Sequence, residues 1–405
     1  MTLNKRTLGL ILIFAFPVCL YQLFNIIWID KQVAKLLYFI ILTFVIIYVF
    51  PNLFRIKKNS KYEVPLRFLF ITMWISIACA LLFWGQDIIL SYRSSATYFG
   101  VVFFFLLMKE KPDIATIERL IWFYCIIFIL LWLYGMHKAP QIIYAIDAET
   151  TMDNSRGIFR LALPGRGFLI LGFFVAVSKY IETKKNKWAL LFGVLFVFII
   201  FQVTRQIIIF SFLVSSIYIL RRSKIALFVL CLGAIFLLFS DSFIKVNEDS
   251  IIGKMVNLST EQASSQSTGD KNIRLLEYEY FLTHYSKNII TDIFGNGVPH
   301  FTSSYGLKEI NIREQFAYFM SDVGYAEIFV RFGISGILLY LIIFTRAAFQ
   351  NVDKEYMYAK LFVIYIALAN VTASWVFQDV LPLCICLYVL ERCNLQKKFI
   401  EKQIN

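Results

Sequence analysis

The chain is a succession of apolar runs of bilayer-crossing length, and this pattern narrows its fold more than any other feature. At about 1.5 Å per residue a helix needs roughly 20 apolar residues to cross the hydrocarbon, and shorter spans occur in packed bundles. About twelve runs qualify. They lie near Leu8–Trp28, Leu36–Phe54, Leu66–Gly85, Ala96–Met108, Leu120–Met136, Leu161–Ser178, Trp188–Val203, Gln206–Leu220, Ile225–Ser240, Phe332–Ala348, Tyr358–Trp375 and Phe377–Leu390. The first run is too long for a cleaved signal peptide and no small-residue cleavage site follows it, so it is expected as a retained span. Apolar residues make up 59% of the chain and charged residues only 17%, too few to cover a soluble surface. Soluble dehydrogenases, kinases and nucleic-acid binders are thereby excluded, and an all-α integral membrane protein is expected.

The net charge of +13 is first a topology signal. Basic clusters fall on alternate connections: Lys5 and Arg6; Arg55, Lys57, Lys58 and Lys61; Lys109 and Lys111; Lys179, Lys184, Lys185 and Lys187; Arg221, Arg222 and Lys224; Lys397, Lys398 and Lys402. Those faces are expected to be cytoplasmic, with both termini inside. Three parts follow: residues 1–240 with spans one to nine, a large external loop over 241–331, and residues 332–405 with the last three spans and a cytoplasmic tail. All seven cysteines lie in spans or at the cytoplasmic end, so the loop is not a disulfide-stapled domain. No metal-ligand spacing and no internal repeat is present, and neither a metal nor a cofactor is called for.

On that topology the outward side should be poor in basic residues, yet Arg156, Arg160, Arg166, Arg205 and Arg274 all fall there. Guanidinium forks suit phosphate and diphosphate oxygens; the plainer reading is that such arginines anchor helix ends to lipid headgroups. Arg205 sits in the single polar break, Gln202 to Gln206, of an apolar run from Trp188 to Leu220. Two arms of about 16 residues reach only roughly 24 Å, short of a hydrocarbon core of about 30 Å. Arg205 is therefore expected to be recessed, facing either an anionic ligand or an internal carboxylate rather than lipid.

Within the loop, Ser259 to Asp270 reads as a polar connection and Asn272 to Lys287 as an amphipathic helix. Phe294-Gly295-Asn296-Gly297 reads as a tight turn, and Gln315 to Val330 as a further helix. That helix leads into Phe332-Gly333-Ile334-Ser335-Gly336, whose small residues permit close helix packing.

This order resembles the O-antigen polymerase and ligase superfamily. The residues that carry the likeness are the recessed arginine, Arg274-Leu275 opening a loop helix, the glycine turn, Ser321-Asp322-Val323-Gly324-Tyr325 and the final glycine motif, together spanning roughly Arg156 to Leu341. The resemblance implies a multi-pass glycosyltransferase of the type-C architecture in a bacterial inner membrane, acting on undecaprenyl-diphosphate-linked oligosaccharides at the periplasmic face. It implies lipids and a chain-length-regulating membrane protein as further partners, and no nucleic acid. Diphosphate recognition would fall on Arg205 and Arg274, with Arg166, Arg160 and Arg156 as additional candidates. Ligase-type relatives carry His-Asn where this chain has Ser321-Asp322, which favours a polymerase.

The implied reaction needs charge neutralisation on the departing diphosphate and a base for the acceptor hydroxyl. Asp322 is the leading base candidate, its alternative role being a cap on a helix running to Val330. His300, after the glycine turn, is the second candidate, its alternative being a plain surface residue. A lipid-oligosaccharide flippase has a similar span count, but it predicts internal repeats and short loops on both sides.

Overall fold

The computed structural model describes residues 5–54, 60–139, 141, 143–144, 161, 163–202, 204–220 and 272–404. The expected span Ile225–Ser240, the polar stretch Ser259 to Asp270, Arg156, Arg160 and Cys231 lie outside them.

The described residues are predominantly helical, and among them an isolated bridge joins Ile26 and Tyr144. In chain order the helices are α1 (Lys5–Leu20), α2 (Lys31–Phe54), α3 (Glu63–Trp84), α4 (Ile88–Ser95), α5 (Val102–Glu110), α6 (Ile114–Lys138), α7 (Arg166–Thr183), α8 (Asn186–Phe201) and α9 (Arg205–Leu220). After the undescribed stretch come α10 (Ile273–Thr283), α11 (Ile289–Phe294), α12 (Ser304–Phe316), α13 (Gly324–Phe349), α14 (Met357–Ala369), α15 (Trp375–Gln378) and α16 (Val380–Ile404). Among the described residues five helices are long and apolar enough to cross a membrane, or up to six if the pair bent by 59° at α4 and α5 is one span. The chain is a helical membrane protein on this ground.

Helix α2 is apolar on two faces. Ala34, Tyr38, Leu42, Val45, Val49 and Leu53 are buried against protein, while Leu36, Ile40, Phe44, Ile47, Phe50 and Phe54 stay exposed on another face. A helix apolar on both faces satisfies one with protein and the other with lipid. The short arms expected around Arg205 are also present: α8 and α9 have 16 residues each and are separated by Gln202 to Thr204.

The chain divides into two compact units. One comprises residues 1–23, 30–120 and 273–405, the other residues 24–29 and 121–272. In the second, α7 is buried around nearly its whole circumference and packs on α8 and α9.

In the first unit, α13 is packed by α3, α10, α11 and α14. The expected helix over Gln315 to Val330 is not formed. Helix α12 stops at Phe316, where Ala317 turns left-handed (φ 54°), and the buried Glu277 carboxylate accepts the Phe319 N–H at 2.9 Å. A new helix begins at Gly324 and runs on through the expected span. Within it the helix is kinked at Gly333 (φ 68°, ψ −169°), a conformation essentially restricted to glycine.

Breaking the helix at Gly333 releases carbonyls that would otherwise bond along it. The turn at residues 294–297 takes them up: Asn296 N–H donates to Val330 O at 2.8 Å and Gly297 N–H to Arg331 O at 3.2 Å. The Asn296 side-chain amide donates to Val330 O as well, and Trp84 Nε1 donates to Asn296 Oδ1. A Cβ at Gly295 would lie 2.2 Å from Arg331 O, and one at Gly333 would lie 2.3 Å from Ile293 O. The two glycine motifs are thus halves of one joint. Gly333→Ala combines forbidden torsions with a backbone clash, so it should cost about 2 kcal/mol or more. A thermal midpoint in detergent unchanged from the parent would refute the joint.

Segment 272–323 packs onto the start of α13 through Phe281, Tyr285, Tyr305, Ile312, Met320, Val323 and Val330. Trp84, at the end of α3, pins it: Tyr305 stacks on the indole at 4.4 Å, while the ammonium groups of Lys287 and Lys308 lie 4.1 and 4.5 Å from the ring centroid.

Candidate functional site

The joint fixes Arg331, and Arg331 organises a cavity of about 370 Å³ between α12, the turn after it and the start of α13. Arg331 is 5% exposed. Its two terminal nitrogens make a fork onto Glu309, with Nη1 to Oε2 at 3.1 Å and Nη2 to Oε1 at 3.2 Å. Its Nε lies 3.7 Å from Glu327 Oε1, close enough for ion pairing but not for a hydrogen bond. Glu327 is held by two hydroxyls, Tyr98 donating to Oε1 at 2.6 Å and Ser374 donating to Oε2. Arg313 and Ser321 complete the polar lining, and Tyr318, Phe319 and Phe301 add aromatic surface.

Two sequence-selected residues share an electrostatic neighbour. Arg274, half-buried on α10, and Asp322, exposed in the short turn Met320–Asp322, both act electrostatically on Glu277. Burial pushes the Glu277 carboxyl up from its ordinary range, the Phe319 N–H opposes this, Asp322 adds to it and Arg274 counters it. Ser321, next to Asp322, lines the cavity. The N-cap of α13 is Val323, the residue after Asp322, and the Val323 side chain makes no cap hydrogen bond.

His300 does not present a free basic nitrogen. Its Nδ1 accepts from Thr302 N–H at 3.3 Å and lies 2.7 Å from the Thr302 hydroxyl, which leaves the ring proton on Nε2. Burial first, then the charges of Arg93 and Lys35, pull its pKa down and hold the ring neutral. Its backbone is tied to Gln86, so its evident role is to shape the turn before α12.

In the second unit a different site forms. Arg166 opens α7 and Arg205 opens α9, and Arg166 Nη1 donates to Thr204 Oγ1 at 3.1 Å, the residue whose carbonyl starts α9. Both arginines are half-buried. The first amide groups of a helix have no intrahelical acceptor and carry positive partial charge, and the Arg166–Thr204 bond brings the start of α7 to the start of α9, the helix that Arg205 opens. Gln202, 3% exposed, adds an amide whose Nε2 has no hydrogen-bond partner. The whole corner suits an anion with several oxygens.

Neither a family model nor a curated protein matches this chain. The site must speak through its own chemistry. Of the residues selected from sequence, Arg166 reaches the start of the helix that Arg205 opens, and Arg274 and Asp322 both act on Glu277. Sequence reading missed Glu309, Glu327 and Arg331, treating the last only as a segment boundary. The available signal was Glu327 and Arg331 at i, i+4 spacing where a loop enters an apolar helix, a place where charges need partners.

Proposed function

We propose that this protein is a polysaccharide polymerase of the O-antigen polymerase type. It joins oligosaccharide repeat units carried on undecaprenyl diphosphate at the non-cytoplasmic face of a bacterial inner membrane. The observation that carries the reading is the corner of Arg166, Thr204 and Arg205 at the starts of α7 and α9. In this reading the departing diphosphate meets the positive charge of Arg166 and Arg205 together with helix-start amides.

In the reaction the bond between the anomeric carbon of the donor glycan and its diphosphate oxygen breaks. An acceptor sugar hydroxyl forms the new bond to that carbon and gives up its proton. The arginines stabilise the charge that grows on the diphosphate, which is where an enzyme gains rate rather than mere affinity. Asp322 takes the proton, exposed at a turn whose neighbour Ser321 lines the cavity. The basic clusters on the opposite side set the orientation.

The test is the glycan profile of cells lacking the protein. Long chains should vanish while lipid capped with a single repeat unit persists. Loss of all capping would indicate a ligase instead, and accumulation of lipid-linked units inside the cell would indicate a flippase.

A further inference from the structure

The cavity beside Arg331 is built to answer hydroxyls, not phosphates. Its two guanidinium groups, Arg313 and Arg331, are matched by two carboxylates, Glu309 and Glu327, so the wall is formally neutral. An anion seated on Arg331 would have to displace Glu309 from its fork and then face that carboxylate unpaired. A sugar hydroxyl donates and accepts at once and can bridge such a wall without breaking the pair.

Three further observations point to a ligand of this kind. Arg331 Nε is a buried donor on the cavity wall with no hydrogen-bond acceptor. The Arg313 side chain is exposed at the lining. Phe301 and Phe319 line the same cavity while remaining 70% and 44% exposed, which gives flat apolar faces for the C–H face of a pyranose. A space of about 370 Å³ has room for roughly two such rings.

We propose that this cavity binds a neutral pyranose unit, rich in hydroxyls and free of carboxylate or phosphate. Glu309, Arg313 and Ser321 hold the hydroxyls and Phe319 stacks on the ring. The inference rests on the glycan reading above for its place in a reaction, where it makes the sugar seated here an uncharged one. Binding is nevertheless measured without turnover.

The experiment uses the purified full-length protein in detergent and saturation-transfer NMR with matched probes: glucose against glucuronate, galactose against galacturonate, and N-acetylglucosamine and cellobiose with inorganic pyrophosphate as competitor. The neutral sugars should bind saturably in about the millimolar range, and the acid forms at least about fivefold more weakly. Phe319→Ala removes an exposed ring and should weaken neutral-sugar binding by about fivefold while leaving the thermal midpoint unchanged. Pyrophosphate should not compete. Equal or tighter binding of the acids, competition by pyrophosphate, full affinity in the Phe319 variant, or no saturable signal from any neutral sugar would each overturn the proposal. Saccharide binding by a protein whose loss leaves long chains intact would keep this proposal and sink the polymerase. The converse pair of results would remove only the cavity assignment.

Discussion

Arg331→Met should leave the protein barely able to fold. The substitution keeps an apolar stem of similar length but strands two carboxylates, and they are not equally tolerant of the loss. The Glu309 side chain is 34% exposed and can turn to water, whereas the Glu327 side chain is 9% exposed and cannot. Removing one partner of a buried pair typically costs about 3–5 kcal/mol, against about 0–1 kcal/mol for an exposed pair. The cost should therefore sit with Glu327, and the double variant Arg331→Met, Glu327→Gln should recover most of it. The glutamine keeps an oxygen for Tyr98 or Ser374 and carries no charge. Thermal midpoints in detergent, read by fluorescence-detected size exclusion, measure both. A single variant as stable as its parent would show that Arg331 does not hold this region together.

Arg205→Lys should abolish chain growth while leaving the protein in the membrane at normal level. Lysine keeps the charge and the length, so an anchor to lipid headgroups or a simple charge requirement would survive the change. It loses the planar fork, which is what a diphosphate bound at two oxygens needs. One charge-assisted contact made chiefly in the transition state is worth about 10²-fold in rate or more. Arg166→Lys should behave alike, because its fork already spans to Thr204 at the start of α9. Near-normal chain length in either lysine variant would remove that residue from diphosphate recognition.

How far the fold could be read from sequence depended on whether the governing interaction was local. The apolar helix over Leu36–Phe54 and the break between α8 and α9 follow from run length, and both appear where the sequence places them. The first glycine motif was legible as a tight turn and the second only as a place for close helix packing; their partnership was not legible, because only tertiary contact brings residues 294–297 to the carbonyls of Val330 and Arg331. The helix expected across Gln315 to Val330 failed for a related reason. Alanine does not announce a left-handed turn, yet Ala317 adopts one beside a chain segment held by the distant Glu277. The cavity was illegible for the same cause, since Tyr98, Glu309 and Arg331 come from three separated stretches.

The arginine corner shows the opposite case. Arg166 was selected as an outward arginine and Arg205 also by the shortness of two helices, and Arg166 bonds to Thr204 beside Arg205. Arg274 and Asp322 were likewise selected separately and share the electrostatic surroundings of Glu277.

The most direct measurement of the central claim is extension of a defined undecaprenyl-diphosphate-linked repeat unit by the purified protein, followed by chain-length analysis of the product. The account predicts a ladder of lipid-linked oligomers from the parent. It predicts extension by Asp322→Asn slowed about 10²-fold, because that change keeps shape and removes basicity. Recovery of the repeat unit unextended, by a parent protein shown to be folded and to bind the lipid, would contradict it.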